Sequence, residues 1–251
     1  LGLHDGATKV GCNVLPTSSG NTQKQLMLMK DLGMTTLCCT PSYALYLSEV
    51  LMDEGMKPED IPLKHGVFGA EPWTEEMRQT LEERLGIHAH DIYGLTEICG
   101  PGVGGDCEYH NGIHIWEDNF IIEVINPKTG EVLPPGSMGE IVFTTLTRKA
   151  MPLIRYRTGD YGRFLTEPCP CGSVLRRLDK VLHRLEKKGV SLFKITDFDE
   201  AVFSIDNIFN YDLTVNSAEK KLILTVYCLT EPKKAKSETA ERIANLTHGY
   251  N

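Results

Sequence analysis

The chain has no apolar run approaching the roughly 18–20 residues that a membrane-spanning helix requires. It has no surplus of positive charge, because 26 Lys and Arg stand against 34 Asp and Glu for a formal net charge of −8. Broad binding to nucleic acid or to an anionic membrane surface is therefore not expected. No internal repeat or low-complexity tract is visible. The first residues, Leu1-Gly2-Leu3-His4-Asp5, include no initiator Met and no basic-then-apolar leader pattern. Eight cysteines in an acidic chain of this kind predict a cytoplasmic protein whose thiols are reduced or metal-bound rather than paired. Cys12, Cys38, Cys39 and Cys228 lie in apolar stretches and are expected to be buried as small hydrophobes.

What is there is enough for one or two domains, with 251 residues, 41% of them hydrophobic and 24% charged. Strand-like and helix-like segments alternate through the first part. Thr8 to Leu15 reads as a strand, Asn21 to Leu32 as a helix and Thr35 to Cys39 as a short buried strand. A helix follows from Pro41 to Gly55, then a strand from Leu63 to Phe68, a helix from Thr74 to Leu85 and a strand from His88 to Ile92. This βαβ rhythm predicts an α/β fold with a mostly parallel sheet, and functional loops at the C-terminal ends of its strands. Ile113 to Trp116, Ile121 to Ile125 and Glu140 to Thr145 read as strands joined by Asn-Pro and Pro-Pro-Gly turns, an antiparallel, barrel-like subdomain. Arg176 to Lys188 reads as a basic connector. Beyond it a small α+β unit is expected, with a helix at Asp197 to Phe203, strands at Leu213 to Val215 and Leu222 to Leu229, and a solvated helix at Glu231 to Ala244. The expected divisions are 1–111, 112–182 and 183–251.

Two segments carry more chemistry than structure alone needs. Asp91-Ile92-Tyr93-Gly94-Leu95-Thr96-Glu97 puts a glycine turn, a hydroxyl and a carboxylate at the end of an apolar run. Arg155-Tyr156-Arg157-Thr158-Gly159-Asp160 packs two guanidiniums, a hydroxyl and a carboxylate together. Phe68-Gly69-Ala70-Glu71-Pro72-Trp73 precedes them, and Gly100-Pro101-Gly102-Val103, Ile115-Trp116-Glu117-Asp118, the Asn126 to Pro134 turn and Gly139 to Thr144 fall between. In this order and spacing, from Gly2 to Lys180, they resemble the adenylate-forming (acyl-CoA synthetase-like) enzymes, and within them the phenylacetate–CoA ligase group.

The resemblance implies ATP-dependent activation of an aryl carboxylic acid, with phenylacetate the expected substrate, through an acyl-adenylate to its CoA thioester. Joining a carboxylate to ATP is a reaction between anions. The site must therefore neutralise phosphate charge locally, hold Mg²⁺ and align the attacking oxygen. Glu97 matches the metal-associated glutamate, and Thr96 would bond a phosphate oxygen. Tyr93, with Gly94 after it, would stack against adenine. Gly69, Ala70, Glu71 and Pro72 would line the opposite side, and Asp160 would accept from both ribose hydroxyls. Arg155 and Arg157 are candidates to face the α-phosphate or to brace Asp160; the alternative is a surface ion pair. Phe68, Ala70, Ile98 and Pro101 are candidate walls of an acyl pocket, with plain core residues as the alternative. The resemblance also implies a homodimer, by analogy with relatives.

Cysteine spacing adds an independent expectation. Cys169-Pro170-Cys171-Gly172 with Cys107 and His114 would make a closed three-thiolate, one-imidazole structural zinc site. Cys99 and His110 are possible substitute ligands, and a reduced thiol cluster is the alternative. Thr17 to Lys24 mimics a hydroxyl-rich phosphate loop, but reads better as an N-cap cluster.

The likeness weakens after Lys180. The family's hinge matches Arg184 (a candidate nucleotide contact) and Gly189-Val190, with Gly189 expected near the pantetheine of CoA. His183 replaces the hinge glycine, and the aspartates are absent. Lys233, Lys234 and Lys236 look solvated, so the C-terminal catalytic lysine has no clear match. The family's glycine-rich phosphate loop would lie upstream of Gly2. These departures leave two other readings open: a degenerate nucleotide-binding scaffold, and a coenzyme-adenylating relative that forms no thioester.

Overall fold

A computed structural model describes residues 2–17, 22–100, 102–181, 195–205, 208–216, 221–228 and 230–248. The chain opens with α1 (Gly2–Lys9), α2 (Thr22–Asp31), β1 (Thr36–Cys39), α3 (Pro41–Asp53), β2 (His65–Gly69), α4 (Glu75–Leu85) and β3 (His88–Tyr93). The expected strand at Thr8 to Leu15 is not found. Its first residues are the end of α1, where Val10 N–H donates to the Gly6 carbonyl at 3.2 Å, and β-propensity yields to this local ladder.

The α/β alternation has legible causes. Thr40 caps α3 by accepting from Tyr43 N–H, and Pro41 pre-sets the first turn. Thr74 caps α4 in the same way, and Gly86 closes it in the left-handed conformation. Both helices present apolar positions to β1–β3. Leu47, Leu81, Phe68 and Ala89 are fully buried there, each large side chain contributing about 1.5–3 kcal/mol.

The strands β1, β2 and β3 pair in parallel, with His65 opposite His88 and Phe68 opposite Asp91. After β3 come the short helix α5 (Thr96–Cys99) and two short strands, β4 (Gly104–Gly105) and β5 (Ile113–Ile115). These strands and β9 (Arg177–Leu178) extend the sheet antiparallel, in the order β1-β2-β3-β4-β5-β9. The expected antiparallel subdomain is a three-stranded sheet of β6 (Phe120–Ile125), β7 (Gly139–Thr145) and β8 (Tyr156–Gly162). It is open rather than closed into a barrel. A second core, including Ile98, Ile115, Ile141 and Phe143, joins this sheet to β5. The C-terminal α+β unit consists of α6 (Ile195–Phe203), the hairpin β10 (Ile208–Asn216) and β11 (Lys221–Cys228), and α7 (Pro232–His248).

No helix among the described residues is long and apolar enough to cross a membrane. Cys12 and Cys38 are exposed, and Cys39 and Cys228 are partly exposed. The expectation that these four are buried is thus corrected: the groove between α2 and β1 leaves Cys12, Cys38 and Cys39 on its wall.

Candidate active site

The C-terminal ends of β2 and β3 open into a cleft of about 260 Å³. Ala70, Glu71, Pro72, Tyr93, Gly94 and Asp160 line it, as the motifs predict, together with Trp73, Asp91, Ile113 and Lys180. Gly69 underlies it. A Cβ at Gly69 would stand 2.5 Å from the Ile92 carbonyl oxygen, so only glycine lets β2 and β3 approach here. Ala70 follows with φ of 73°, a left-handed backbone that costs an alanine about 1–2 kcal/mol. Strain of this sort is concentrated at functional sites. Glu71 accepts from Ser42 N–H at 2.6 Å, anchoring the turn to the first turn of α3.

Asp160 reaches the cleft by way of a bulge in β8. Val142 pairs with Arg157 and Glu140 with Tyr161, so three residues of β8 face Ile141 alone. Gly159 takes φ of 76° to make this turn. Thr158 Oγ1 accepts from Asp160 N–H at 2.9 Å and donates to the Ile141 carbonyl at 2.8 Å. Gly159 N–H donates to Glu140, whose carboxylate is gripped by Arg157 Nε at 2.8 Å. Each residue of the Arg-Thr-Gly-Asp run thus has a local task, and the outcome is a nearly buried Asp160 carboxylate. Tyr93 Oη donates to its Oδ2 at 2.6 Å.

Neither candidate arginine lines the cleft. Arg157 holds Glu140 and the Pro127 carbonyl, and Arg155 donates to Glu123 at 2.9 Å. Both are exposed, so the ion-pair alternative describes them.

Glu97 lies in the first turn of α5, half-buried, with the Thr96 side chain exposed beside it. Its Oε1 accepts from Tyr156 Oη at 2.6 Å. Arg148 donates to the carbonyl oxygens of Glu97 and Ile98, closing the short helix from below. Neither Tyr156 nor Arg148 is among the site residues that the motifs predict. Tyr156 was within sight, one residue before Arg157 in the motif itself.

The proposed acyl walls separate. Ala70 lines the cleft. Phe68 is buried edge-on against Trp73 at 5.8 Å in the first core, and Ile98 is buried in the second. Both therefore serve as core. Pro101, Arg184 and Gly189 lie outside the described residues, as do the whole of the hinge and the centre of the Thr17 to Lys24 cluster.

Asp91, which opens the Tyr93 motif, is a further site residue beyond those the motifs predict. It lines the cleft, and burial, with Asp106 nearby, pushes its carboxyl up to about 6. Beneath it Arg78 is only 1% exposed. Its guanidinium lies 4.6 Å over the Trp73 ring and donates to the Ala89 carbonyl and to Asp106 Oδ2, the latter at 3.0 Å. Such a buried cation ties α4, β3 and the loop after β4 into one floor.

The sulfur and imidazole cluster does assemble. Cys107 Sγ is 3.6 Å from Cys169 Sγ, and Cys171 Sγ is 3.5 Å from His114 Nε2. All four ligand atoms lie within 4.8 Å of one another. Two ligands on one tetrahedral zinc stand about 3.4–3.8 Å apart, so the donor set and its spacing fit that ion. Burial and the neighbouring Arg177 push the His114 imidazole below its ordinary pKa, favouring the neutral state that ligates.

Comparison with known proteins places this geometry in a lineage. The chain is 44% identical over 221 residues to a phenylacetate-coenzyme A ligase of Thermus thermophilus, covering 86% of this chain and 49% of that protein. It is 50% identical over 198 residues to a phenylacetate-coenzyme A ligase of Aromatoleum evansii, covering 77% of this chain and 44% of the relative. The chain thus spans about half the length of the curated relatives it matches. Among solved structures, 2-hydroxyisobutyryl-CoA ligase in its postadenylation state superposes with a TM-score of 0.85 at 21% identity, over 96% of this chain and 55% of the other. A benzoate CoA ligase from Burkholderia xenovorans superposes at 0.58 with 13% identity, over 90% of this chain and 48% of the other. These two carry the fold. The profile described as AMP-binding enzyme matches residues 6–147; with the Tyr93 and Glu97 segment inside that match, the chain belongs to the AMP-binding enzyme family.

Proposed function

We propose that the protein carrying this chain activates an aryl carboxylic acid of the phenylacetate type with ATP, and passes the acyl group from its adenylate to CoA. The observation that carries this reading is the convergence of Tyr93, Asp160 and the Ala70–Pro72 turn on one cleft, with Glu97 held by Tyr156 in the short helix that follows β3. The relatives' names supply the acid and the thiol.

In this reading Tyr93 offers its ring face to adenine, and the strained Ala70 turn holds the opposite side. Asp160 accepts from the ribose diol, its position set by the Tyr93 hydroxyl and the β8 bulge. Asp91 adds an acceptor on the same wall, and Lys180 supplies positive charge there. Thr96 and Glu97 face the phosphates. Glu97 is the carboxylate that would hold Mg²⁺, an ion that takes one or two carboxylates along with phosphate oxygens. When bound, that ion neutralises charge on the phosphates. Tyr156 fixes the Glu97 carboxylate through one of its oxygens. The thiolate cluster would hold a structural zinc that staples the loop after β4 to the loop before β9.

The test is acid-dependent pyrophosphate release by the full-length protein with phenylacetate, ATP and Mg²⁺, with and without CoA. Release that depends on the acid, followed by phenylacetyl-CoA when CoA is added, supports the reading. Nucleotide binding without release would instead favour a scaffold that has lost turnover.

A further inference from the structure

Outside the cleft and the thiolate cluster, a second group of ligating side chains meets where β3 passes the loop after β4. His90 Nδ1 lies 3.3 Å from Asp106 Oδ1, and His110 Nδ1 lies 2.8 Å from Asp106 Oδ2. The three ligand atoms are within 4.8 Å of one another. The Asp106 side chain is 2% exposed, and its Oδ1 is buried without a well-formed hydrogen bond among the described residues. Leaving a carboxylate oxygen in that state costs several kcal/mol of solvation unless something satisfies it.

The two oxygens are unequally supplied. Oδ2 receives Arg78 Nη2 at 3.0 Å as well as His110. Arg78 is thereby committed to that oxygen, to the Ala89 carbonyl and, through Nε, to Glu75 at 3.2 Å. Oδ1 has the poorly aligned His90 Nδ1 near it, at 3.3 Å. Two imidazoles and one carboxylate with an open lone pair are the donor set of a borderline first-row divalent ion. His65 and His88, on the same side of the sheet, keep the neighbourhood rich in imidazole, with the His65 ring 6.1 Å from that of His90.

We infer that His90, Asp106 and His110 form a binding site for a divalent transition ion of the zinc type, separate from the Cys107 cluster. On binding, both imidazoles carry their proton on Nε2 and present Nδ1 to the ion, and Asp106 gives Oδ1 while keeping Arg78 on Oδ2. Asp106 and Cys107 are adjacent, so one loop is fixed to β3 on one side and to the Cys169–Cys171 turn on the other. The site stands whether or not the thiolate cluster binds zinc.

Cobalt(II) distinguishes the two. The full-length protein, free of affinity-tag histidines, is stripped with chelator and titrated with cobalt. Thiolate ligation gives an intense near-ultraviolet charge-transfer band, whereas imidazole and carboxylate ligation gives only weak visible bands. The expected result is an equivalent bound without charge transfer. In the His90→Gln, His110→Gln double variant that equivalent is weakened at least tenfold, with the charge-transfer band and the His4→Gln control unchanged. Both substitutions leave the Arg78–Asp106 pair intact, and His110→Gln alone, in a surface loop, is expected to show the same weakening. The inference is overturned if the wild-type protein binds no cobalt beyond the thiolate equivalent, or if the variants retain the second one. Loss of charge transfer in the wild type, with the weak bands kept, would remove the thiolate reading and leave this one standing.

Discussion

The Tyr93 hydroxyl donates to Asp160 Oδ2 at 2.6 Å, linking the end of β3 to the β8 bulge. The two side chains predicted to grip opposite parts of one nucleotide are thus positioned by each other. Removing the hydroxyl in Tyr93→Phe takes away a bond worth about 1 kcal/mol, so KM for ATP should rise about fivefold with KM for the acid unchanged. Asp160→Ala should cost more, about 10- to 100-fold in kcat/KM, because hydrogen bonds to a charged acceptor are stronger. A Tyr93→Phe enzyme impaired toward the acid but not ATP would contradict this placement.

Tyr156 holds Glu97 in the same fashion. Partners that orient a metal ligand typically matter by about 10- to 100-fold. Tyr156→Phe should therefore shift the Mg²⁺ dependence of pyrophosphate release to higher concentration by about that factor, and excess Mg²⁺ should restore much of the rate. A simple loss of kcat with an unmoved Mg²⁺ midpoint would mean that Tyr156 acts on something else.

Much of this was readable in the sequence, and the exceptions share a cause. The parallel strands, α3 and α4 follow from periodicity with Thr and Pro at one end and Gly at the other. The cleft follows from glycine and carboxylate motifs at strand ends. What sequence did not show was which face a charged residue presents. Arg157 sits in a motif with Asp160, yet the bulge aims the two apart, and Arg157 serves Glu140. Arg78 carries no motif of its own, and its burial follows from partners distant in sequence, among them Asp106, 28 positions on. Phe68 and Ile98 were apolar residues beside motifs, and proximity in sequence could not tell a pocket wall from core.

Arg78 gives a stability prediction. Arg78→Met keeps the volume but leaves Asp106 buried without its cation, a loss that typically costs about 3–5 kcal/mol. The urea midpoint should fall accordingly. The double variant Arg78→Met, Asp106→Asn should recover a substantial part, and a double variant no better than the single one would argue that the packing of Arg78 on Trp73 dominates.

Loss of a structural metal belongs to the largest class of destabilising changes, about 4 kcal/mol or more. Cys171→Ser should lower the melting temperature by about 10 °C, and chelator should lower that of the wild type by clearly more than that of the variant, which keeps only the His90, Asp106 and His110 group. Equal sensitivity of both proteins to chelator would place the metal elsewhere.

Asp91 sets a pH dependence. Its carboxyl is raised from 3.8 to about 6, chiefly by burial. The folded state therefore favours the protonated form. This contribution to stability is fully present below 3.8 and is lost as pH rises through about 6. Asp91→Asn removes the loss, so the variant should gain on the wild type in urea midpoint between pH 4 and pH 7. Parallel curves for the two proteins would show that Asp91 titrates normally.

The bulge in β8 has a consequence for how this strand can vary. The surplus over β7 is two residues, an even number, so Tyr156 before it and Gly162 after it keep the phase of the pleat. Deleting a single residue between Arg157 and Tyr161 would invert every later side chain of the strand. Deleting two would leave the sheet in phase, its core undisturbed, and withdraw Asp160 from the cleft. A length change of two at this point is therefore a route by which a relative could keep the fold and part with the nucleotide.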